Sequence, residues 1–162
     1  SLVISYLVFS HVYYRIDSFF NSTKPYQVMK ALEALQNGGF FGVGPGKGYF
    51  KQYLPDAHTD FIFAVAVEEY GLVFAFILLA LFGYLFFLGF KVLQRVKTQF
   101  IYISIAGLLV LLMFQAFIHI SSNINLIPTK GMTLPFISYG GTSLVANALL
   151  VGFLLALSKK EY

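Results

Sequence analysis

Three acidic side chains stand where a polar segment of this chain gives way to a long apolar one. Asp60 follows the run Leu54-Pro55-Asp56-Ala57-His58-Thr59, and Glu68 and Glu69 come about two helical turns later. A carboxylate flanked by apolar residues costs about 2.5–3.5 kcal/mol near a bilayer centre and less at its edge, so it normally faces a protein interior or a wet cavity. Carboxylates in such cavities are among the side chains that take a proton from a reacting group.

The depth of Asp60 follows from the length of the helix behind it. At about 1.5 Å per residue, a helix over residues 60–90 spans ~46 Å. If residues 71–90 fill the hydrocarbon layer, Asp60 lies roughly 16 Å outside it, and Glu68 and Glu69 lie near its edge. The diphosphate and first sugars of a lipid-linked saccharide would lie at about the same depth.

Asp60 also has a purely structural interpretation. Asp and Thr are preferred helix N-caps, so Thr59 or Asp60 could simply close the start of this helix. The helical repeat instead favours an inward-facing set of two acids and two small residues, Asp60, Ala64, Glu68 and Gly71. The sequence leaves both interpretations open.

The composition places the chain in a membrane. Hydrophobic residues make up 58% of it and charged residues only 11%, and the mean hydropathy is +0.76. Too few polar groups are available to cover that apolar surface in water, which excludes a soluble enzyme, a disordered segment and a nucleic-acid binder. The net charge of +4 is too small to indicate a polyanion partner, and the lack of cysteine excludes disulfides and thiolate metal sites.

Three uncharged stretches are long enough for membrane-spanning helices, which need about 20 apolar residues each. The predicted fold class is all-α, a polytopic membrane helix bundle with three full spans, forming the C-terminal part of a larger protein. In chain order we expect the end of a helix (1–12), an extracytoplasmic loop with a short amphipathic helix (13–59), transmembrane helices at 60–91 and 98–122, a second extracytoplasmic loop (123–141) and a last transmembrane helix (142–158). The three basic residues in 91–97 favour a cytoplasmic connector, although the total count of basic residues on the two faces does not decide.

The polar segment 13–59 is long enough to carry a function of its own. Apolar residues recur with a helical period in residues 26–35, which predicts a short amphipathic helix in the headgroup layer that ends at Gly38-Gly39. The glycines that follow fit neither a Walker loop nor a dinucleotide fingerprint. A glycine-rich turn is the simpler interpretation, and an anion-holding concavity beside Lys47 and Lys51 is the alternative.

Polar side chains also occur inside the second span. Gln115, His119 and Ser122 align on one face, which indicates a protein interior and, by default, interhelical hydrogen bonds. His119 has no second metal ligand at a useful spacing, so a metal site there is disfavoured.

Two long motifs resemble the SEDS family (FtsW/RodA/SpoVE). The first joins the glycines at 38, 39, 42 and 44 to residues 54–64, Leu-Pro-Asp-Ala-His-Thr-Asp-Phe-Ile-Phe-Ala. The second is residues 128–143, Pro-Thr-Lys-Gly-Met-Thr-Leu-Pro-Phe-Ile-Ser-Tyr-Gly-Gly-Thr-Ser. The resemblance covers nearly the whole chain, and its Pro-Thr-Lys-Gly run is more like the division branch of the family.

This resemblance implies a peptidoglycan glycosyltransferase, a ten-helix polymerase that joins lipid II units into glycan strands. The expected place is the outer face of the bacterial plasma membrane at the division septum, with a cytoplasmic connector. The expected partners are a class B penicillin-binding protein (a transpeptidase), other divisome proteins, lipid II and membrane lipid.

The resemblance also assigns the site. Asp60 corresponds to the essential catalytic acid, which we expect to take the proton from the acceptor sugar hydroxyl. A divalent cation, Mg²⁺ or Mn²⁺, is the expected cofactor, and Asp60 would be its ligand if it does not act as the base. The side chains expected to bind substrate are Lys51, Lys47, Arg15, Lys130 and His58. Those expected to shape the cavity are Glu68, Glu69, Gln115, Ser138, Gly140 and Gly141.

Two other functions are compatible with the sequence. A lipid II transporter, or flippase, would also need acids that face an internal cavity. A scaffold of the division complex would need no chemistry and suits a chain that is one part of a longer protein.

Overall fold

The computed structural model describes residues 25–54, 56–128 and 131–159. Over these ranges the chain forms four α-helices and one 3-10 turn, without a β-strand. The elements are α1 (Tyr26–Gly38), the 3-10 turn Phe50–Gln52, α2 (Ile62–Leu93), α3 (Gln99–Asn123) and α4 (Gly141–Lys159). The predicted helix end at 1–12 lies outside the described residues, as do Arg15 and Lys130.

Three of these helices, α2, α3 and α4, are long and apolar enough to cross a membrane. They occupy the three stretches that the sequence predicts as spans, so the all-α fold with three spans is confirmed. Only 11% of the most apolar window of α4 is buried within the chain. Most residues of α4 therefore present surface to lipid or to further protein.

The amphipathic helix α1 packs against the start of α2. Its buried face consists of small side chains, including Ala31 and Ala34, which allow the two backbones to approach closely. Phe61, Ala64 and Val65 complete this cluster from the α2 side. The helix that the sequence predicts is therefore present, and its buried face rests on protein and not on lipid headgroups.

The second core cluster joins α2, α3 and the segment before α4. Val67 and Leu78 of α2 share it with Ala116 of α3 and with Leu134, which is 1% exposed. Leu134 anchors the chain between α3 and α4 inside the bundle, so this segment is part of the core.

The long helix α2 is interrupted at Gly71. The backbone there has φ 79° and ψ 179°, which is far from helical geometry. The helix also begins at Ile62 and not at Asp60. The depth estimate for Asp60 assumed one unbroken helix, and the break and the later start both change that geometry.

Candidate active site

Asp60 ends a tight turn that leads into α2. The backbone N–H groups of Thr59 and Asp60 both donate to the Asp56 carbonyl oxygen at 3.0 Å, and the Thr59 hydroxyl donates to the same oxygen at 3.1 Å. Asp56 has a positive φ of 58°, a left-handed conformation that short polar side chains tolerate. The turn leaves the Asp60 side chain half-buried at the start of α2.

The Asp60 carboxylate does not close the helix start. Phe61 holds the N-cap position of α2, and no side-chain hydrogen bond caps it. The Thr59 hydroxyl is directed back into the turn. The capping interpretation of these two residues is therefore wrong.

An amide from α3 holds the open start of α2 instead. Asn123 is 1% exposed, and its Oδ1 accepts a hydrogen bond from the Ala64 N–H at 3.3 Å. Its Nδ2 donates to the Asp60 carbonyl oxygen at 2.9 Å and to the His119 carbonyl oxygen at 3.0 Å. In the sequence, Asn123 follows His119 by four residues, which places both side chains on one face of the helix. This signal is missed when Ser122 is taken as the next residue of the polar face.

Residues 131–140, which we call the re-entrant loop, fold back along α3. The Gln115 Nε2 donates to the Thr133 carbonyl oxygen at 3.0 Å, and the His119 Nδ1 lies 2.6 Å from the Met132 carbonyl oxygen. Gln115 is about 12 Å from Asn123 along the helix axis, so the loop enters the depth of the span. Irregular backbone at that depth is tolerated only where protein covers it and satisfies its polar groups. Within the described residues, Gln115 and His119 therefore bind this loop, and Ser122 donates to the His119 carbonyl oxygen of its own helix at 2.8 Å.

Ser138 ties the far end of the re-entrant loop to the Asp60 turn. Its hydroxyl donates to the Thr59 carbonyl oxygen and accepts from the Leu134 N–H, both at 2.7 Å. The Tyr139 N–H donates to the His58 carbonyl oxygen at 2.9 Å. The turn and the loop are thus joined through the carbonyl groups of the two residues that precede Asp60.

Gly131 faces the Asp60 carboxylate across a narrow gap. Its φ is 61°, and a Cβ atom placed on it would lie 3.2 Å from the Asp60 Oδ2. Any side chain at this position would crowd the carboxylate, so glycine allows the two segments to approach this closely. Beside the same turn, an open groove of about 530 Å³ is lined by His58, Ile62 and residues 137–141.

Residues 38–44, which we call the glycine clasp, insert their backbone into the break of α2. The Val43 and Gly44 N–H groups donate to the carbonyl oxygens of Glu68 and Glu69 at 2.9 and 3.0 Å. In return, the N–H groups of residues 72 and 73 donate to the carbonyl oxygens of residues 39 and 40 at 2.9 and 3.2 Å. The clasp thus replaces the hydrogen bonds that an unbroken helix would make.

Close backbone approach explains the glycines of the clasp. A Cβ atom on Gly71 would collide with the Phe40 carbonyl oxygen, and one on Gly42 would collide with the Glu69 carbonyl oxygen. The amides at 43 and 44 donate to α2, and the Gly46 amide donates to the Glu69 carboxylate. The glycine-rich stretch therefore forms a turn with partners in α2, and the anion held beside Lys51 is the protein's own Glu69.

Glu68 anchors the chain that follows the clasp. Its side chain is fully buried, and its carboxylate accepts hydrogen bonds from the Asn37 Nδ2 at 3.0 Å and from the Tyr49 N–H at 2.8 Å. The Phe50 N–H lies 3.2 Å from both carboxylate oxygens. Three donors from two elements satisfy this acid, so its environment is that of a structural anchor.

Glu69 pairs with Lys51. The Lys51 Nζ lies 2.9 Å from the Glu69 Oε1, and the Gly46 N–H donates to the Glu69 Oε2 at 2.9 Å. The Lys51 Nζ also donates to the Gly46 carbonyl oxygen at 2.9 Å. Lys51 thus has structural partners on both sides, whereas Lys47 is exposed.

Two ionisable side chains, Lys30 of α1 and Tyr49 before the 3-10 turn, keep their ordinary protonation states near neutral pH. A hydrogen bond to Glu33 raises the pKa of Lys30, whose ammonium group lies 5.5 Å from the centre of the Phe50 ring. A hydrogen bond to Tyr53 raises the pKa of Tyr49. Lys30 therefore stays charged and Tyr49 stays neutral, and a cation–π contact links α1 to the 3-10 turn.

The described site residues fall into two groups along the first part of α2. The group at the helix start contains Asp60, His58, Ser138, Gly140 and Gly141, and Gln115 lies deeper in the bundle, where it binds Thr133 of the re-entrant loop. The group at the helix break contains Glu68, Glu69, Lys51 and Lys47. Ile62 and Glu68 are roughly 9 Å apart along the axis, so the two groups occupy different levels of the bundle.

The residues around Asp60 fit a cation that the substrate helps to hold. Among the described ranges, no three His, Cys, Asp or Glu side chains come together as a metal site. Mg²⁺ is commonly bound by one or two carboxylates together with substrate phosphates and water. A half-buried carboxylate at the start of a helix suits that arrangement and does not suit a closed protein cage.

A sequence model of the FtsW/RodA/SpoVE family, described as "Cell cycle protein", matches residues 1–162. The chain belongs to this family. The resemblance to SEDS proteins is therefore confirmed.

Two relatives from bacteria illustrate the similarity, and both are named "Probable peptidoglycan glycosyltransferase FtsW". The protein of Caulobacter vibrioides is 46% identical over 159 residues, which cover 97% of this chain and 41% of the relative. The protein of Nitrosomonas europaea is 45% identical over 136 residues, which cover 82% of this chain and 35% of the relative. The chain thus spans about two fifths or less of the length of these relatives.

A solved structure shows the same fold. It has a TM-score of 0.75 and 24% sequence identity, and the match covers 96% of this chain and 44% of that one. That structure is described as "Structural coordination of polymerization and crosslinking by a peptidoglycan synthase complex". At this identity the likeness establishes the arrangement of the FtsW/RodA/SpoVE helices alone.

Proposed function

We propose that this chain carries the catalytic acid of a peptidoglycan glycosyltransferase that polymerises lipid II in septal cell-wall synthesis. The observation that carries the proposal is the environment of Asp60. Its backbone is fixed by Asn123, its side chain is half-buried, and the absence of a side chain at Gly131 leaves its carboxylate uncrowded on that side. The names of the curated relatives support the same reaction.

In the proposed reaction, the 4-hydroxyl of an acceptor sugar attacks the anomeric carbon of the donor disaccharide. Asp60 accepts the hydroxyl proton as the new C–O bond forms. The bond from the anomeric carbon to the diphosphate oxygen breaks, and the diphosphate leaves with the electron pair on its polyprenyl carrier. Asp60 is well suited to this role because the turn and Asn123 fix its backbone while its side chain is only half-buried.

Positive charge is needed where the diphosphate leaves. A divalent cation, Mg²⁺ or Mn²⁺, held by the phosphates would supply it, and Asp60 would be a further ligand only if it were not the base. Among the side chains, Lys47 is our first candidate because it is exposed, followed by His58, Arg15 and Lys130. Lys51 is a weaker candidate than its position suggests, because Glu69 lies 2.9 Å from its ammonium group.

The place and partners of the protein are part of the proposal. We infer that it acts in the bacterial plasma membrane at the division septum, with the Asp60 end outside the cytoplasm. We also infer that it works with a class B penicillin-binding protein and other divisome proteins. The solved structure of similar fold supports this, because its description couples polymerisation to crosslinking.

The test uses the complete polymerase, which contains all the helices found in its relatives, bound to its transpeptidase. One carboxylate oxygen of Asp60 is replaced by an NH₂ group. Asp60→Asn should abolish glycan strands made from purified lipid II, as measured by gel electrophoresis of the product. Asp56→Asn is the matched control, because it makes the same chemical change four residues away on an exposed side chain. It should still make strands.

Three outcomes would count against the proposal. Strand synthesis by Asp60→Asn would remove the assigned role of this acid. Movement of lipid II across vesicle membranes by a wild-type protein that makes no strands would favour the transporter. A wild-type complex that binds the transpeptidase but neither polymerises nor moves lipid II would favour the scaffold.

A further inference from the structure

The first turn of α2 lacks the usual means of satisfying its backbone. The first N–H groups of any helix have no partner within the helix, and a side chain at the N-cap normally accepts one of them. Phe61 at the N-cap of α2 has no such group. Asn123 supplies the missing acceptor from another helix, since its Oδ1 receives the Ala64 N–H at 3.3 Å.

The same amide also fixes the carbonyl group of Asp60. The Asn123 Nδ2 donates at once to the Asp60 and His119 carbonyl oxygens, at 2.9 and 3.0 Å. The opposite orientation of the amide would place its oxygen against these two carbonyl oxygens, so the network determines which way it points. Asn123 therefore links the Asp60 backbone rigidly to α3.

The other side of the carboxylate is held from the same face of α3. One turn before Asn123, the His119 ring binds the Met132 carbonyl oxygen at 2.6 Å. Met132 is the neighbour of Gly131, which lies opposite the Asp60 carboxylate. Two consecutive turns of α3 thus hold the two sides of the gap.

We propose that Asn123 is a positioning residue for Asp60, which sets the direction of its carboxylate towards the gap at Gly131. This inference rests on the proposed function, because it assumes that Asp60 performs the chemistry. Misplacement of a reacting group by about 1 Å can cost roughly 100-fold in rate. Loss of the amide should therefore lower kcat and leave the KM for lipid II nearly unchanged.

The test uses two substitutions in the complete polymerase bound to its transpeptidase. Asn123→Leu keeps the volume and removes every hydrogen bond, and we expect kcat per folded protein to fall about 10- to 100-fold. Asn123→Gln keeps the amide on a longer side chain, and we expect a fall of about 3-fold, between the wild type and Asn123→Leu. The KM for lipid II should change by less than about 2-fold in both.

Asn147 provides the matched control. It is also a buried amide, 3% exposed, but its Nδ2 donates within its own helix to the Ser143 carbonyl oxygen at 2.9 Å. Asn147→Leu should leave kcat per folded protein within about 2-fold of the wild type. The folded fraction of each variant is measured by size-exclusion chromatography in detergent.

Several results would overturn the inference. One is an unchanged kcat in Asn123→Leu, and another is an equal loss in Asn147→Leu, which would indicate general loosening. If Asn123→Leu does not fold, an unchanged kcat in Asn123→Gln overturns it, and a fall at constant KM supports it. Failure of the proposed function is distinguishable, because in that case Asp60→Asn itself retains strand synthesis.

Discussion

Glu68 and Asp60 are two carboxylates near the same end of α2, but their surroundings differ. Glu68 is fully buried and receives hydrogen bonds from Asn37, Tyr49 and Phe50. Asp60 is half-buried, its backbone is fixed by Asn123, and the residue that lies against its carboxylate, Gly131, has no side chain. The fully buried position of Glu68 is that of an acid that stabilises a fold, whereas Asp60 lies at the partly exposed start of the helix, where a substrate could reach it.

The contrast extends to the segments around the two acids. The glycine clasp is joined to α2 by four backbone hydrogen bonds between main chains. The re-entrant loop is held mainly by side chains, namely Gln115, His119 and Ser138. We therefore expect substitutions in the clasp region to cost stability, and those around the loop to cost activity as well.

The largest effect is expected for Gly71→Ala. A Cβ atom there would collide with the Phe40 carbonyl oxygen, and the backbone has a φ of 79°. The free energy of unfolding should fall by at least about 3 kcal/mol. Gly83→Ala is the control, because Gly83 lies in the same helix with no atom within 4 Å of its Cβ position; it should stabilise by about 0.5–1 kcal/mol. The melting temperature of each variant is measured in detergent as the temperature at which the monodisperse peak in size-exclusion chromatography is lost. Equal melting temperatures for the two variants would contradict the role assigned to the clasp.

Glu68→Gln should be the next most severe. The substitution removes the negative charge that accepts three hydrogen bonds and places an NH₂ group opposite one of the three donors. The free energy of unfolding should fall by about 2–3 kcal/mol. The kcat of the protein that does fold should be unchanged. Glu33→Gln is the control, since Glu33 pairs with Lys30 at the surface and should change stability by less than about 0.5 kcal/mol. A specific loss of kcat in Glu68→Gln would place this acid in the chemistry instead.

Ser138→Ala should have an intermediate effect on stability and a clear effect on activity. It leaves the buried Leu134 N–H without its acceptor and breaks the bond to the Thr59 carbonyl oxygen, at a cost of about 1–2 kcal/mol. Because that bond joins the re-entrant loop to the Asp60 turn, kcat should also fall. Ser158→Ala removes an exposed hydroxyl that bonds only within its own helix, and it should change neither quantity in the same unfolding and polymerisation assays.

Lys51→Met should have the smallest effect. The side chains of Lys51 and Glu69 are 29% and 12% exposed, so the pair should contribute about 0.5–1 kcal/mol. The difference in melting temperature from the wild type should narrow in 1 M salt, where the Debye length is about 3 Å. A large loss of polymerisation without loss of stability would instead assign Lys51 to the substrate.

The sequence was sufficient for the spans and for the residue types of the site. Long apolar runs predict α2, α3 and α4 because a membrane leaves few other options for them, and the helical repeat correctly predicts that Ala64, Glu68 and Gly71 face inward. The family motifs single out Asp60 and the chain around it.

Long-range backbone contacts account for what the sequence did not predict. The insertion of residues 38–44 into the break at Gly71 involves main-chain atoms, which carry no residue-specific signal beyond the glycines. The Asp60 carbonyl group is also a main-chain group without a residue-specific signal, and its partner Asn123 lies 63 positions away along the chain. Periodicity identifies which side of a helix is buried, but it does not identify the backbone group that a buried amide will meet.

The exchange of hydrogen bonds at Gly71 has a consequence for biosynthesis. Residues 38–44 leave the ribosome before α2 does, yet the carbonyl groups of Glu68 and Glu69 have their described partners only in those residues. The first part of α2 therefore reaches its final hydrogen bonding only when the earlier segment packs against the formed helix. Completion of this part of the helix is consequently a tertiary event, which requires that both segments have been synthesised.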